Sequence, residues 1–212
     1  MENPNAVGRT PDIGGTLTDT LKNSELRSLA PDLAELPLDS VLPPGVLRDI
    51  PILRTLDAIW KTSRTVRDHI FARKLLKFLR TLADIPPDCR RTMVEKLEAD
   101  EQFGKRVGEQ IIVLLDRLDD IEKATLIGRA FKAYCEGHFN AETLQRLNFA
   151  IDRVMLPDLA RLDDFRHKRR GSYHAEQAFV NAGLGYIPHG MATVQVLPVE
   201  PLCDALLQHV LK

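Results

Sequence analysis

The chain has 212 residues, 44% hydrophobic and 28% charged, long enough to bury about 70% of its unfolded surface in one or two domains without staples. Aromatics make up only 6%, while Leu, Ala, Arg, Asp and Glu are prominent, a balance that predicts a mainly α-helical protein. The formal net charge is −1, so any electrostatic partner must be met by local charge, and the three cysteines lie far apart outside any CxxC pattern, which argues for a reducing compartment and against a disulfide frame or a zinc site.

The opening residues MENPNAVGRTPDIGG lack the basic start and apolar run of a signal peptide, and no window approaches the ~18 uncharged apolar residues of a membrane span. A cytoplasmic location is expected. Seven of the thirteen prolines, at 4, 11, 31, 37, 43, 44 and 51, fall in the first 51 residues. They predict a proline-rich arm over 1–45, cut into pieces too short for stable helices, with Leu21–Leu29 and Leu33–Val41 able to lie along the body. Within the arm, Asp12-Ile-Gly-Gly-Thr-Leu-Thr-Asp19 looks like the phosphate loop of sugar kinases. The buried strand that must precede such a loop is missing, so the expected reading is a leader in which Thr16 or Thr18 caps a helix.

From Ile52 to Leu82 the apolar spacing predicts one long amphipathic helix. Ile52, Leu56, Ile59, Val66 and Ile70 keep a four-three rhythm with Ser63 in one slot, and the rhythm restarts a residue late at Phe71, Leu75, Phe78 and Leu82. Between Arg48 and Arg80 nine Lys or Arg stand against three Asp, a local charge of +6 that leaves −7 for the rest of the chain. Segregated charge of this kind points to a partner. The residues expected to meet an anionic surface are Arg54, Trp60, Lys61, Arg64, Arg67, Arg73, Lys77 and Arg80. Ile52, Leu53, Leu56, Ile59 and Trp60 would form the face inserted into an anionic membrane. A solvated helix back in a bundle is the plain alternative for the same stripe.

Downstream, a helical core is expected to reach residue 170. Pro86 and Pro87 open a helix to about Ala99; Asp100 is expected to cap the next, which buries Phe103, Val107, Ile111, Leu114, Leu115 and Leu118. Asp119 or Asp120 should cap a helix through Ala124, Ile127, Phe131 and Tyr134 that stops at Gly137, and Asn140 should cap its antiparallel return through Leu144, Leu147, Ile151 and Val154. Pro157 starts a short helix ending in the basic patch 166–170. Residues 171–212 read as a small α+β tail with a winged-helix outline: a helix from about His174 to Asn181, a stop at Gly183, a strand over Ala192–Leu197, and a last helix framed by Pro198 and Pro201.

No coherent catalytic or cofactor motif appears. Arg64 and His69 have the R-x4-H spacing of a class of helical ribonucleases, but with this many arginines and histidines the spacing arises readily by chance, and Arg169 with His174 repeats it. The acidic cluster Asp116, Asp119, Asp120 and Glu122 lacks the alternating ladder and central Gly of a calcium loop, so no metal site is expected there.

The run Leu47–Leu53, then Arg67-Asp68, Phe71 and Lys74-Leu75, then Leu115–Asp120, Glu122-Lys123-Ala124 and Phe131–Tyr134, resembles a family of bacterial helical proteins of unassigned function over about residues 35 to 165. The outline of the tail is similar to that of some abortive-infection and other phage-defence proteins. The resemblance implies a bacterial accessory protein and supplies no activity, catalytic residue or cofactor. The functional expectation is therefore a non-enzymatic interaction or effector protein whose basic helix engages an anionic surface, membrane first, in bacterial stress or phage defence. Nucleic-acid binding through the tail and the basic patches is the second reading, and a ribonuclease using Arg64 and His69 the third. Self-association stays open under the first.

Overall fold

A computed structural model describes residues 12–24, 26–29, 50–60, 65–100, 106–169, 171–188 and 196–212. Among them the chain is mainly α-helical. The elements are α1 (Ile13–Asn23), a 3-10 turn (Leu26–Ser28), α2 (Pro51–Trp60), α3 (Val66–Thr81), α4 (Pro87–Ala99), α5 (Val107–Arg117), α6 (Lys123–Cys135), α7 (Ala141–Arg153), α8 (Leu156–Leu159), α9 (Leu162–Arg166), α10 (Tyr173–Asn181), β1 (Gly185–Tyr186), β2 (Leu197–Pro198) and α11 (Glu200–His209). One apolar core runs from Leu17 in α1 to Val210 beyond α11.

Part of the arm is core, against the expectation of pieces too short for helices. Residues 13–23 form an eleven-residue helix whose Leu17 and Leu21 are fully buried, so this part of the arm belongs to the core. Its cap is Asp12, whose Oδ1 accepts from the Gly15 amide at 2.8 Å; neither Thr16 nor Thr18 takes that role. The glycines of the would-be phosphate loop lie inside the helix, where Gly14 allows close approach to α5 and Gly15 sits against the capping Asp12 carboxylate. A Cβ on Gly108 would stand 2.0 Å from the Gly14 carbonyl oxygen, so the two backbones touch where these helices pack together. The segment Leu33–Val41 lies outside the described residues.

The single long helix expected over 52–82 is two helices, α2 and α3. Thr65 caps α3 with a full capping box: its hydroxyl accepts from the Asp68 amide while the Asp68 carboxylate accepts from the Thr65 amide. The late restart of the apolar rhythm at Phe71 lies inside α3 and does not mark the break, which falls between Trp60 and Thr65, and residues 61–64 lie outside the described set. Helix α3 is central. Its Phe78 meets Phe131 of α6 edge to face, with centroids 5.5 Å apart, an arrangement worth about 0.5–1.5 kcal/mol beyond the area it buries.

Helices α4 and α7 follow the sequence closely, whereas α6 is not capped by Asp119 or Asp120: its N-cap is Glu122, which makes no side-chain cap bond and whose amide donates to Asp120 Oδ1 at 2.7 Å. Pro87 opens α4, Asn140 Oδ1 accepts from the Thr143 amide at the start of α7, and Gly137 ends the α6 region in the left-handed conformation with φ 82°. Leu144, Leu147, Ile151 and Val154 are all fully buried, as the α6–α7 hairpin requires. Helix α5 begins at Val107 behind Arg106, without a side-chain cap, and the expected core position Phe103 lies outside the described residues. In the tail, β1 and β2 pair antiparallel, Gly185 opposite Pro198 and Tyr186 opposite Leu197. Of the expected strand Ala192–Leu197, Leu197 is in β2 and 192–195 lie outside the described residues.

Helix α11 returns to the α6–α7 turn, where the His209 ring stacks on His138 at 4.1 Å and meets Phe139 edge on. Burial, and then the neighbouring His138, hold the His209 imidazole below its ordinary value, with Glu136 opposing and Lys212 reinforcing. An unfolded His takes its proton near about pH 6.5 while the fold resists it, so this contribution to stability is full above that pH and is lost as pH falls through it. His209→Gln is expected to flatten the fall of the thermal midpoint between about pH 7.5 and about pH 5.5; an unchanged slope would show that the pair does not couple to folding.

Candidate interaction surfaces

The cations of α3 line up against the C-terminus of α5 and the acidic turn that follows it. Arg67 donates to the Asp116 carboxylate, Lys77 pairs with Glu122 at 2.9 Å, and between them Lys74 reaches the ends of the chain's own carbonyls. The Lys74 ammonium, only 5% exposed, donates to the carbonyls of Leu118 at 2.5 Å and Asp116 at 3.2 Å, satisfying the C-terminal acceptors that a helix leaves open. Burial lowers its pKa, and Asp116 and Asp119 oppose that shift. On α6, Lys123 repeats the device, donating to Asp152 O and pairing with Asp119. The acidic cluster 116–122 and the basic helix are therefore each other's partners.

The remaining predicted residues divide in a similar way. Arg80 donates to Leu29 O at 2.7 Å, and Arg73 is half-buried with its Nε unpartnered. Trp60 is half-buried and packs edge to face on Phe71, centroids 6.4 Å apart. Arg54 is exposed and makes no ion pair among the described residues. Lys61 and Arg64 lie outside the described residues, and with Arg64 goes the geometry of the R-x4-H pair. Ile52, Leu53 and Leu56, three of the five residues expected to insert into a membrane, are core residues, because α2 packs its apolar side on α1. Ile59 and Val66 remain exposed on either side of the interruption. The patch 166–169 is also engaged internally: Arg166 holds Asp204 in a two-pronged pair at 2.7 and 3.0 Å, and Arg169 pairs with Asp163 and Asp164.

A different face carries unsatisfied chemistry. Phe149 on α7 (45% exposed), Met155 (61%) and Tyr173 on α10 (74%) surround a groove of about 550 Å³ between α7, α8 and α10. Arg153 stands over the Phe149 ring at 5.4 Å, and Asp158 lies on the same wall. Neither Arg153 nor Asp158 has an ion-pair partner among the described residues. On its other side Phe149 borders a second groove, about 190 Å³, between α5 and α7. The Asn148 side-chain oxygen, buried there, has no hydrogen-bond partner among the described residues. From this groove the surface continues along α5 to exposed Val113. Exposed large apolar residues gathered on one face, beside a buried acceptor that lacks a donor, mark a contact surface.

Sequence reasoning missed this face because Phe149 and Tyr173 sit on helices whose inward residues already account for the periodicity. The readable signal is that both are aromatic at outward positions of otherwise well-patterned helices. No helix of the described residues is long and apolar enough to cross a membrane, and among them no group of three His, Cys, Asp or Glu could hold a metal ion. No protein-family model, curated protein or solved structure matches the chain.

Proposed function

We propose that this chain is a non-enzymatic interaction protein whose working face runs from Val113 across Phe149 to Tyr173, and that the partner seated there is a second copy of the chain. The observation that supports it is the composition of the α7–α10 groove: three exposed apolar side chains flanked by one unpaired cation, Arg153, and one unpaired anion, Asp158. A two-fold interface places the same patch against itself, so a patch with one charge of each sign can satisfy both across the axis. An acidic peptide would meet Arg153 and be opposed by Asp158. An anionic bilayer would meet the same opposition, and its apolar interior would lie against the polar Gln177 and Asn181 that also line the groove. The link to bacterial stress or phage defence rests on the sequence resemblance alone.

Sedimentation equilibrium of the full chain at tens of micromolar is expected to give the dimer mass, and Phe149→Asp the monomer mass with the helical circular dichroism unchanged. A monomeric wild type at that concentration removes the second-copy reading. Flotation with vesicles rich in anionic lipid, lost in Phe149→Asp, would overturn it in favour of a membrane face.

A further inference from the structure

The fold brings together two of the three cysteines that the sequence keeps 46 residues apart. Cys89 lies in the first turn of α4 and is exposed; Cys135 is the last residue of α6 and is half-buried. The Cys135 thiol donates to the Cys89 carbonyl oxygen at 3.3 Å, so its sulfur is in direct contact with the Cys89 residue. Both line a cavity of about 230 Å³ open to solvent, with Asp88, Lys96 and Tyr134 around it. Burial, and then the charge of Cys89, push the Cys135 thiol up, which ties the two sulfurs electrostatically as well as geometrically. Cys203 is different in kind: it is a fully buried residue of α11, donates to Leu184 O, and burial pushes it up to about 12.

We infer that Cys89 and Cys135 form a peroxide-responsive thiol pair, Cys89 as the sulfur that meets the oxidant and Cys135 as the one that resolves it. Exposure assigns the first role, because peroxide must reach the sulfur it attacks. In the first step hydrogen peroxide transfers one oxygen to Cys89, giving a sulfenic acid and one water. In the second, the Cys135 sulfur leaves its hydrogen bond to the Cys89 carbonyl and attacks the Cys89 sulfur. The S–S bond forms, the S–O bond breaks, and the hydroxyl departs with the Cys135 proton as a second water. Two thiols supply the two electrons that reduce the peroxide O–O bond. The product ties the start of α4 to the end of α6, the end of the hairpin whose return strand of the chain, α7, carries Phe149. Cys203 takes no part, because no oxidant reaches it in the folded state.

The test uses the full folded chain, a small molar excess of hydrogen peroxide at neutral pH, rapid alkylation, intact mass and peptide mapping without reductant. The expected result is a chain lighter by two hydrogens, carrying a Cys89–Cys135 linked peptide, reversed by dithiothreitol, with Cys203 unmodified. Cys135→Ser should instead leave Cys89 trapped as its sulfenic or sulfinic acid. Oxygen added to Cys89 in the wild type with no linked peptide, or a link that includes Cys203, would overturn the assignment. If Cys135→Ser fails to fold, the wild-type peptide map alone still decides.

Discussion

Replacing Arg90 with methionine is expected to cost about 3–5 kcal/mol, a large share of the roughly 5–15 kcal/mol that holds a domain together. Arg90 is a fully buried cation, and its guanidinium spreads over three backbone carbonyls: Nη1 to Leu21 O at 3.1 Å, Nη2 to Ser24 O at 2.7 Å, and Nε to Ile85 O at 3.2 Å. Two of these acceptors belong to the end of α1, where helical carbonyls have no partner within the helix, and the third belongs to the turn before α4. Methionine matches much of the volume and supplies no donor, so each buried carbonyl loses its bond at about 1–3 kcal/mol. Lysine keeps the charge but offers a compact ammonium that cannot bridge three separated acceptors, and Arg90→Lys should recover only part of the loss. Urea unfolding followed by circular dichroism reads both variants. A midpoint unchanged by methionine would mean that α1 is held by its apolar face alone.

Gly108→Ala is expected to destabilise by about 2–3 kcal/mol, against the sign that helix propensity gives. Alanine is favoured over glycine inside a helix by about 1 kcal/mol. At this position, however, the added Cβ would lie 2.0 Å from the Gly14 carbonyl oxygen and 2.6 Å from Thr18 Oγ1. The first neighbour is backbone within α1 and cannot rotate away, so the two helices must separate, opening the contacts of Leu17 and Leu21 with the core. A stabilised or neutral alanine variant would show that α1 and α5 do not touch backbone to backbone.

Helix spacing was legible wherever one face of a helix meets one core. The boundaries of α4, α7 and α10 were readable from Pro87, Asn140 and Gly183 because those signals act locally. What could not be read was anything that depends on which helix lies beside which. Gly14 could be read as part of a phosphate loop because a close helix contact and an anion cradle both ask for glycine, and only the opposing Gly108 separates the two. The +6 segment pointed outward for a similar reason. Charge counted along the chain does not reveal that Asp116, Leu118 O and Glu122 stand across from Arg67, Lys74 and Lys77. The α7–α10 groove was invisible because its residues come from three short stretches, and the Cys89–Cys135 pair because 46 residues separate its members.

The most direct measurement on the central claim, that the chain works through the α7–α10 face against a second copy of itself, is a charge-reversal cycle read as solution mass. Arg153→Glu and Asp158→Arg are each expected to shift the chain toward monomer, because each places like charges across the two-fold axis. The double variant, which restores one charge of each sign, should recover the dimer. So should an equimolar mixture of the two single variants, whose patches carry opposite charge. Four species of equal mass, or a double variant no better than either single one, would contradict the account.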